Sequence, residues 1–449
     1  MSNSKTTLFE KAPVHKAFFA PALPSVFGKI IMLLYNLADT WFIASTNNTN
    51  IVAGVSLVAP VYMVMIALGD IFGVGGSSLI SRLMGKQQKE DTKRISTLCF
   101  YGALILGGIL AILLLILKSP ILSILGTDQN TFTYASDYYT YIAIGAPFIL
   151  ACVVPMNLLR AEGMAKASMF GSITGSVVNI ILDPLFIFGF QMGAAGAAIA
   201  TTIGNASALF VYSIFYKKAE WISISPKYLR YNVADIKNIF TIGIPAALNN
   251  MMTSFTTTIT NRFLTVYGND VLAAWSLAGR CIMIPRMLLV SFSFSSLPLV
   301  GYNYGQKNFV RLKKILKFIY TFELCLALTC TFFIAFFAPS MIAVFMDEPF
   351  IISTGTHILR CQILGIAFTS VILISTCVFQ AIGSGKATMA TTLSQQLLIF
   401  VPVLITASHF FGYEGILFAQ PVTNILTTLL VFFLLKKNFS NLNTKEFTE

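Results

Sequence analysis

Twelve times along its 449 residues this chain runs through an apolar stretch long enough to cross a lipid bilayer. The stretches fall near 17–44, 51–80, 96–117, 137–158, 168–190 and 194–216, then near 238–264, 271–300, 315–337, 357–379, 388–410 and 413–435. A stretch of 18 or more apolar residues with few charges reads as a membrane-spanning helix. The composition agrees, with 56% hydrophobic and 11% charged residues and a mean hydropathy of +0.77. A soluble globular protein has roughly 25% charged residues. This chain therefore cannot be a cytosolic enzyme, a secreted domain or a disordered protein. At about 22 residues per span, twelve spans take about 264 positions. Only short loops remain, with no room for a nucleotide-binding domain.

The polar connectors set the expected orientation. Those after even-numbered spans carry Arg82, Lys86, Lys89, Lys93 and Arg94, then Arg160 and Lys166, then Lys217, Lys218, Lys227, Arg230 and Lys237. In the second half they carry Lys307, Arg311, Lys313, Lys314 and Lys317, then Lys386. Connectors after odd-numbered spans carry Asp128, Asp270, Asp347, Glu348 and Glu414 and almost no Lys or Arg. Lys5, Lys11 and Lys16 precede span 1, and Lys436, Lys437 and Lys445 follow span 12. By the positive-inside rule both termini are cytoplasmic, in a multi-pass plasma-membrane protein. The net charge of +12 is spread over these loops rather than gathered into a basic face, which argues against nucleic-acid binding. Cys99, Cys152, Cys281, Cys325, Cys330, Cys361 and Cys377 form no CxxC pair and read as small core residues. No cleavable signal peptide is evident at the N-terminus.

The two halves repeat. Ile51-Val-Ala-Gly-Val-Ser-Leu57 lies 220 positions before Val271-Leu-Ala-Ala-Trp-Ser-Leu277, and Gly85-Lys86 lies 220 before Gly305-Gln306. Arg160-Ala-Glu-Gly-Met-Ala-Lys-Ala-Ser-Met169 has its twin 220 positions on, at Gln380-Ala-Ile-Gly-Ser-Gly-Lys-Ala-Thr-Met389. Gly193, Gly196 and Asn205 recur 219 positions later as Gly412, Gly415 and Asn424. Six spans separate equivalents, so both copies share one orientation. The expected fold is an all-α integral membrane protein of twelve helices, in two six-helix lobes related by a pseudo-two-fold axis along the membrane normal. Its parts are a cytoplasmic N-terminal segment (1–16), a first lobe (17–216), a cytoplasmic linker (217–237), a second lobe (238–435) and a cytoplasmic tail (436–449).

An ionised side chain inside the bilayer costs at least about 2.5–3.5 kcal/mol on insertion scales, so each needs a reason. Asp39 and Asp183 lie at matching depths, roughly 8 and 10 Å below the outer boundary at about 1.5 Å per residue. Thr201 in span 6 reaches roughly 10 Å by the same rise. Asn179 precedes Asp183 by four residues and shares its helix face. Pro184 cannot donate a backbone hydrogen bond, which opens the ladder near Ile180 and frees a carbonyl. Two carboxylates, an amide, a hydroxyl and a carbonyl are all hard oxygen ligands, suited to Na+ or to protons carried on the carboxylates. Separate local hydrogen bonding of each acid is the plainer alternative. At the offset of 220 the second half has Ile259, Ile399 and Val403 in place of Asp39, Asn179 and Asp183, so any ion coupling belongs to the first lobe.

Other residues leave alternatives open. Asp70, beside Gly69, Gly73, Gly75 and Gly76, would face an inner vestibule. Arg280 and Arg286 in span 8 and Glu323 in span 9 suit either ion pairing or a cavity wall. Met251, Met252, Met283 and Met287, with Tyr35, Tyr62, Tyr138 and Tyr139, could line a soft aromatic pocket for a lipophilic cation or be plain bundle core. Of these, Tyr35, Met252, Arg280, Met283 and Met287 are the candidate substrate-cavity residues. Gly383-Ser-Gly-Lys-Ala-Thr388 has a faint P-loop look, but Gln380 stands where the first Gly should be, so it reads as a tight turn. His15, His357 and His409 show no metal-ligand spacing, and no cluster of catalytic side chains marks an enzyme.

Ser77-Ser-Leu-Ile-Ser-Arg-Leu-Met-Gly85, its partner Ser295-Ser-Leu-Pro-Leu-Val-Gly-Tyr-Asn-Tyr-Gly305, Asn179-Ile-Ile-Leu-Asp-Pro-Leu-Phe-Ile-Phe188 and Gly193-Ala-Ala-Gly-Ala-Ala-Ile-Ala-Thr201 resemble the multidrug and toxic compound extrusion (MATE) family, over nearly the whole chain. The resemblance implies a V-shaped pair of six-helix lobes that exports organic cations and drugs in exchange for Na+ or H+. No cofactor beyond that ion and no obligatory protein partner is evident. The polar set of the DinF-like branch of the family maps onto Asp39, Asn179, Asp183 and Thr201, with Thr202 adjacent and one alignment step away. Another branch keeps coupling carboxylates in spans 7 and 10. Here those spans offer Asn249, Asn250 and Gln380 but no acid. The competing function is a flippase for a lipid-linked precursor, which would line its cavity with Arg and Lys.

Overall fold

The computed structural model describes residues 8–443 apart from Asn47 and Tyr231, so Lys5 and Lys445 lie outside the described residues. Among those residues there is no strand, and almost every position is helical. The first six spans are Val14–Ala44, Thr49–Gly85, Lys89–Ile116, Phe132–Ala161, Ala165–Pro184 with a π turn over Leu185–Gly189, and Gly193–Tyr216. Span 7 is Val233–Leu264, span 8 Asn269–Gly305 and span 9 Phe309–Ala343. Span 10 comes in two pieces, Pro349–Ile363 and Ile366–Ile382, bent by 43°. Span 11 starts at Gly385–Leu393, passes through a π turn over Ser394–Leu398 and enters Phe400–Asn443. Gly412, at φ 56° and ψ −126°, breaks that last helix, and span 12 follows the break.

Nine of the described helices are long and apolar enough to cross a membrane as they stand, or ten with the bent pair taken as one. Dividing the Gly385–Phe439 stretch at Gly412, and adding span 7, brings the spans to twelve in two sets of six. Span 7 falls short on apolarity alone, through its threonines and asparagines.

The duplication is legible in the backbone as well as in the sequence. Left-handed residues stand at Gln87 and Lys307 (φ 60° and 59°), at Gly163 and Gly383 (both 82°), and at Gly193 and Gly412 (52° and 56°). Each pair falls at the sequence offset of 219 or 220. Gly163 and Gly383 close the fourth and tenth spans in the same way. Their N–H groups donate to Arg160 O and Gln380 O, and the next N–H groups reach back to Leu159 O and Phe379 O, both at 2.8 Å. Such a left-handed cap satisfies carbonyls that the helix end would otherwise leave bare. The stretch after Gly383 is thus a helix end and the next helix start, as a tight turn requires.

The chain divides into two compact units. The first comprises residues 1–247 and 301–307, the second 248–300 and 308–449. Within the first, span 4 is the most buried helix. The start of span 7 and the end of span 8 count with it. Tyr302 packs on Phe9 with ring centroids 5.8 Å apart, and Asn303 Nδ2 donates to Phe9 O at 3.3 Å. The linker after span 6 is tied to the same unit. The buried Glu162 accepts from the backbone N–H groups of Glu220 and Ile222, while Arg94 pairs with Asp235 at 2.8 Å. Before span 4, Asp128 accepts from the N–H of Thr131 at 2.8 Å and from its hydroxyl at 2.6 Å. Those bonds hold its carboxyl below the usual range. The second unit packs Ala274, Ala278 and Cys281 of span 8 with Ala327 of span 9, Ile358 of span 10 and Leu417 of span 12. All seven cysteines are free. Cys99, Cys281, Cys361 and Cys377 are core residues, Cys152 and Cys330 are half-buried, and Cys325 is exposed.

Candidate functional site

The site starts from a close approach of two helices. A Cβ on Gly204 of span 6 would lie 2.8 Å from Gly175 O and 3.1 Å from Asn179 Cβ of span 5. Only glycine lets the two backbones come this near, and the contact brings Thr201 against Asn179. With its amide oriented to satisfy both ends, Asn179 donates to Asp183 Oδ2 at 2.8 Å and accepts from the Thr201 N–H at 2.9 Å. Asn179, Asp183 and Thr201 are all buried, Asp183 completely. One residue past Asp183, the helix ladder changes. Leu185 N–H reaches only to Leu182 O, and Phe190 N–H bonds five residues back to Leu185 O. The expected disturbance at Pro184 therefore takes the form of a π turn, a frequent companion of functional sites.

Span 1 supplies the other acid. Asp39 is half-buried and its carboxyl group lies beside that of Asp183. Two carboxyl groups so close together can share one proton, since an ionised carboxylate has no donor of its own. The Oδ1 atoms of both acids are buried and have no hydrogen-bond partner. Buried polar atoms rarely stay unpaired, and an orphaned pair of carboxyl oxygens is a cation-attracting feature. Tyr35, one turn before Asp39, lies beside Thr201, and Tyr62 of span 2 lies beside Asn205. Asn205 also donates to Thr201 O at 2.8 Å. Tyr138 of span 4 lies in the electrostatic reach of Asp39, Tyr62 and Asp183.

The structure thus brings together Asp39, Asn179, Asp183 and Thr201. It separates Thr202, whose hydroxyl turns away and donates to Tyr141 O of span 4 at 3.3 Å. Tyr35 belongs with the acids in the first unit. Met252, Arg280, Met283 and Met287 belong to the second, where Arg280 and Met283 are exposed and Met252 and Met287 half-buried. Tyr62 and Tyr138, read from sequence only as aromatic lining, and Asn205, read only as a repeat marker, are neighbours of the acids. The available signal was spacing. Tyr35 precedes Asp39 by four residues, and Asn205 follows Thr201 by four.

Two other acids find different settings. Asp70 has Lys29 and Arg160 as electrostatic neighbours. Arg160 in turn donates to Asn157 Oδ1 at 2.8 Å. Glu323, fully buried in the second unit, takes the Ser293 hydroxyl on both oxygens, at 2.9 and 2.7 Å, so a hydroxyl and not a cation is its partner. Among the described residues, the other buried polar side chains of that unit are uncharged. Thr256 donates to the Gln396 side chain at 3.0 Å, and Asn424 donates to Thr369 at 2.9 Å beside the bend of span 10.

Twelve membrane helices in two sets of six, with paired acids buried in one set, have the architecture of a polytopic transporter. The MatE family model matches residues 24–185 and again 245–406. The chain belongs to the MatE family, whose members are transporters and not enzymes. The two matched segments begin 221 positions apart, within one residue of the repeat. The multidrug export protein MepA of Staphylococcus aureus (strain MRSA252) is 29% identical over 453 residues, covering 100% of both chains. MepA of Staphylococcus haemolyticus (strain JCSC1435) is 30% identical over 435 residues, 97% of this chain and 96% of its own. A structure described as the outward-facing conformation of a multidrug resistance MATE family transporter of the MOP superfamily superposes with a TM-score of 0.91 at 26% identity. It covers 98% of this chain and 99% of its own.

Proposed function

We propose that this protein is a secondary active multidrug exporter that exchanges H+ or Na+ for amphipathic or cationic organic compounds. Relatives named for multidrug export support the substrate class. The observation that carries the coupling is the Asp39–Asp183 pair, two carboxyl groups in contact with one orphaned oxygen each. A proton neutralises such a pair, and Na+ would meet hard oxygens there from Asp39, Asp183 and Thr201, joined by Asn179 if its amide turned over. Binding from outside biases the lobes between outward-open and inward-open states by the ion's differential affinity for the two. In this reading both termini and the basic connectors are cytoplasmic, and no cofactor beyond the ion is required. The flippase alternative needs a cavity rich in Arg and Lys, and relatives named for drug export weigh against it.

The test is ethidium uptake into everted vesicles driven by an imposed pH gradient or Na+ gradient in turn. Uptake under one gradient identifies the ion, and Asp39→Asn or Asp183→Asn is expected to abolish it at unchanged expression. Drug transport retained in both variants overturns the assignment of coupling to this pair.

A further inference from the structure

The histidines read in isolation show no ligand spacing, but the second unit places His357 among other ligand types. Span 10 carries His357 and Cys361 four residues apart, hence on one helix face. The left-handed break at Gly412 starts span 12 so that Glu414 meets that face. His357 Nε2 lies 2.9 Å from Glu414 Oε1 and 3.1 Å from Oε2, and 3.8 Å from Cys361 Sγ. One ligand atom from each residue lies within 4.8 Å of the other two. An exposed His–Glu pair is by itself an ordinary surface contact worth about 0–1 kcal/mol. It does not account for a thiol converging on the same point.

We propose that His357, Cys361 and Glu414 form a binding site for a divalent transition-metal ion of the Zn2+ type. One imidazole nitrogen, one thiolate and one carboxylate oxygen are a borderline-soft donor set, matched to Zn2+ and its neighbours rather than to Mg2+ or Ca2+. Bond lengths of about 2.0–2.3 Å in a tetrahedral site put ligand atoms about 3.4–3.6 Å apart. The observed separations need only small side-chain adjustments to reach that geometry. The side chains of His357 and Glu414 are 49% and 52% exposed, which leaves an entry path and a fourth position for water. Cys361 closes the inner side and is buried. Binding releases the Cys361 thiol proton and displaces any proton held between His357 and Glu414. The ion would join span 10 to span 12 across the outer end of one lobe.

The full-length protein in detergent is titrated with Zn2+ against a chromophoric chelator, and separately with Cd2+ while thiolate-to-metal charge-transfer absorption is followed. The expected result is one ion per chain, lost in His357→Gln, Cys361→Ser and Glu414→Gln, with the Cd2+ absorption gone in Cys361→Ser. In the unsubstituted protein, Zn2+ is expected to protect Cys361 from maleimide, as read by mass spectrometry, which does not depend on any variant folding. Absence of stoichiometric Zn2+ binding, unprotected Cys361, or Cd2+ absorption that survives Cys361→Ser would overturn the proposal.

Discussion

Thr201 and Thr202 are neighbours in sequence, but a helix turns successive side chains by about 100°. One therefore meets Tyr35 and the acids while the other meets Tyr141 O of span 4. The two substitutions should separate cleanly. Thr202→Ala removes one hydroxyl–carbonyl bond, with an expected loss of about 1 kcal/mol in stability and gradient-driven efflux intact. Thr201→Ala removes a buried hydroxyl beside Tyr35 and the acid pair and is expected to lower efflux several-fold, with a stability loss of about 1 kcal/mol as well. Efflux and melting temperature measured on the same two preparations decide it, and equal efflux in both variants would contradict the placement. The acids themselves were legible in the sequence, because a carboxylate in an apolar stretch is conspicuous and depth follows from helical rise. The tyrosines around them were not, since an aromatic residue in a membrane helix is ordinary until the fold sets it beside an acid.

At the scale of the helix, the sixth span was readable to within a residue at both ends, Gly193 and Tyr216, while the second was read as ending near 80 and runs on to Gly85. Internal irregularities were less so. Pro184 flagged the π turn at Leu185–Gly189, but nothing comparable announces the one at Ser394–Leu398, eleven residues earlier in the second copy than the repeat would put it. The bend of span 10 at Gly365 is likewise a product of packing, where Asn424 donates to the Gly365 carbonyl at 3.4 Å. Close packing of spans 5 and 6 rests on Gly175 and Gly204, and this permits a direct prediction. Gly204→Leu would drive a side chain into the Gly175 carbonyl and Asn179, with an expected destabilisation of about 1–3 kcal/mol and a lower melting temperature in detergent. Asn179 would also lose its hold on Thr201. An unchanged melting temperature would mean that the helices are less tightly apposed than the structure has them.

Across the whole molecule, the duplication predicted six-span lobes, and the matching left-handed residues bear out the repeat at the level of backbone angles. The compact units follow it less strictly, because the start of span 7 and the end of span 8 lie with the first unit through contacts such as Asn303 to Phe9, which join residues far apart in sequence. Orientation rests on the charge bias of the connectors. Single cysteines introduced at Glu90 and Lys314 in a cysteine-free background should react with a membrane-impermeant maleimide only in everted vesicles. Cysteines at Asn50 and Glu348 should react only in intact cells, and the reverse pattern would invert the topology.

Span 7 has one more consequence, for biogenesis rather than transport. It holds six threonines and four asparagines between Val233 and Leu264. Each of the six threonine hydroxyls donates to the carbonyl four residues before it, so the helix satisfies them internally. The helix is stable once assembled but is a weak signal to the machinery that partitions nascent segments into lipid, where apolarity decides. In a single-segment glycosylation reporter, span 7 is expected to insert much less efficiently than span 9, and to recover when span 8 follows it. Equal insertion of the two segments alone would refute this. The seventh helix would then be a passenger during synthesis, waiting at the translocon for its neighbour before it can leave the aqueous channel.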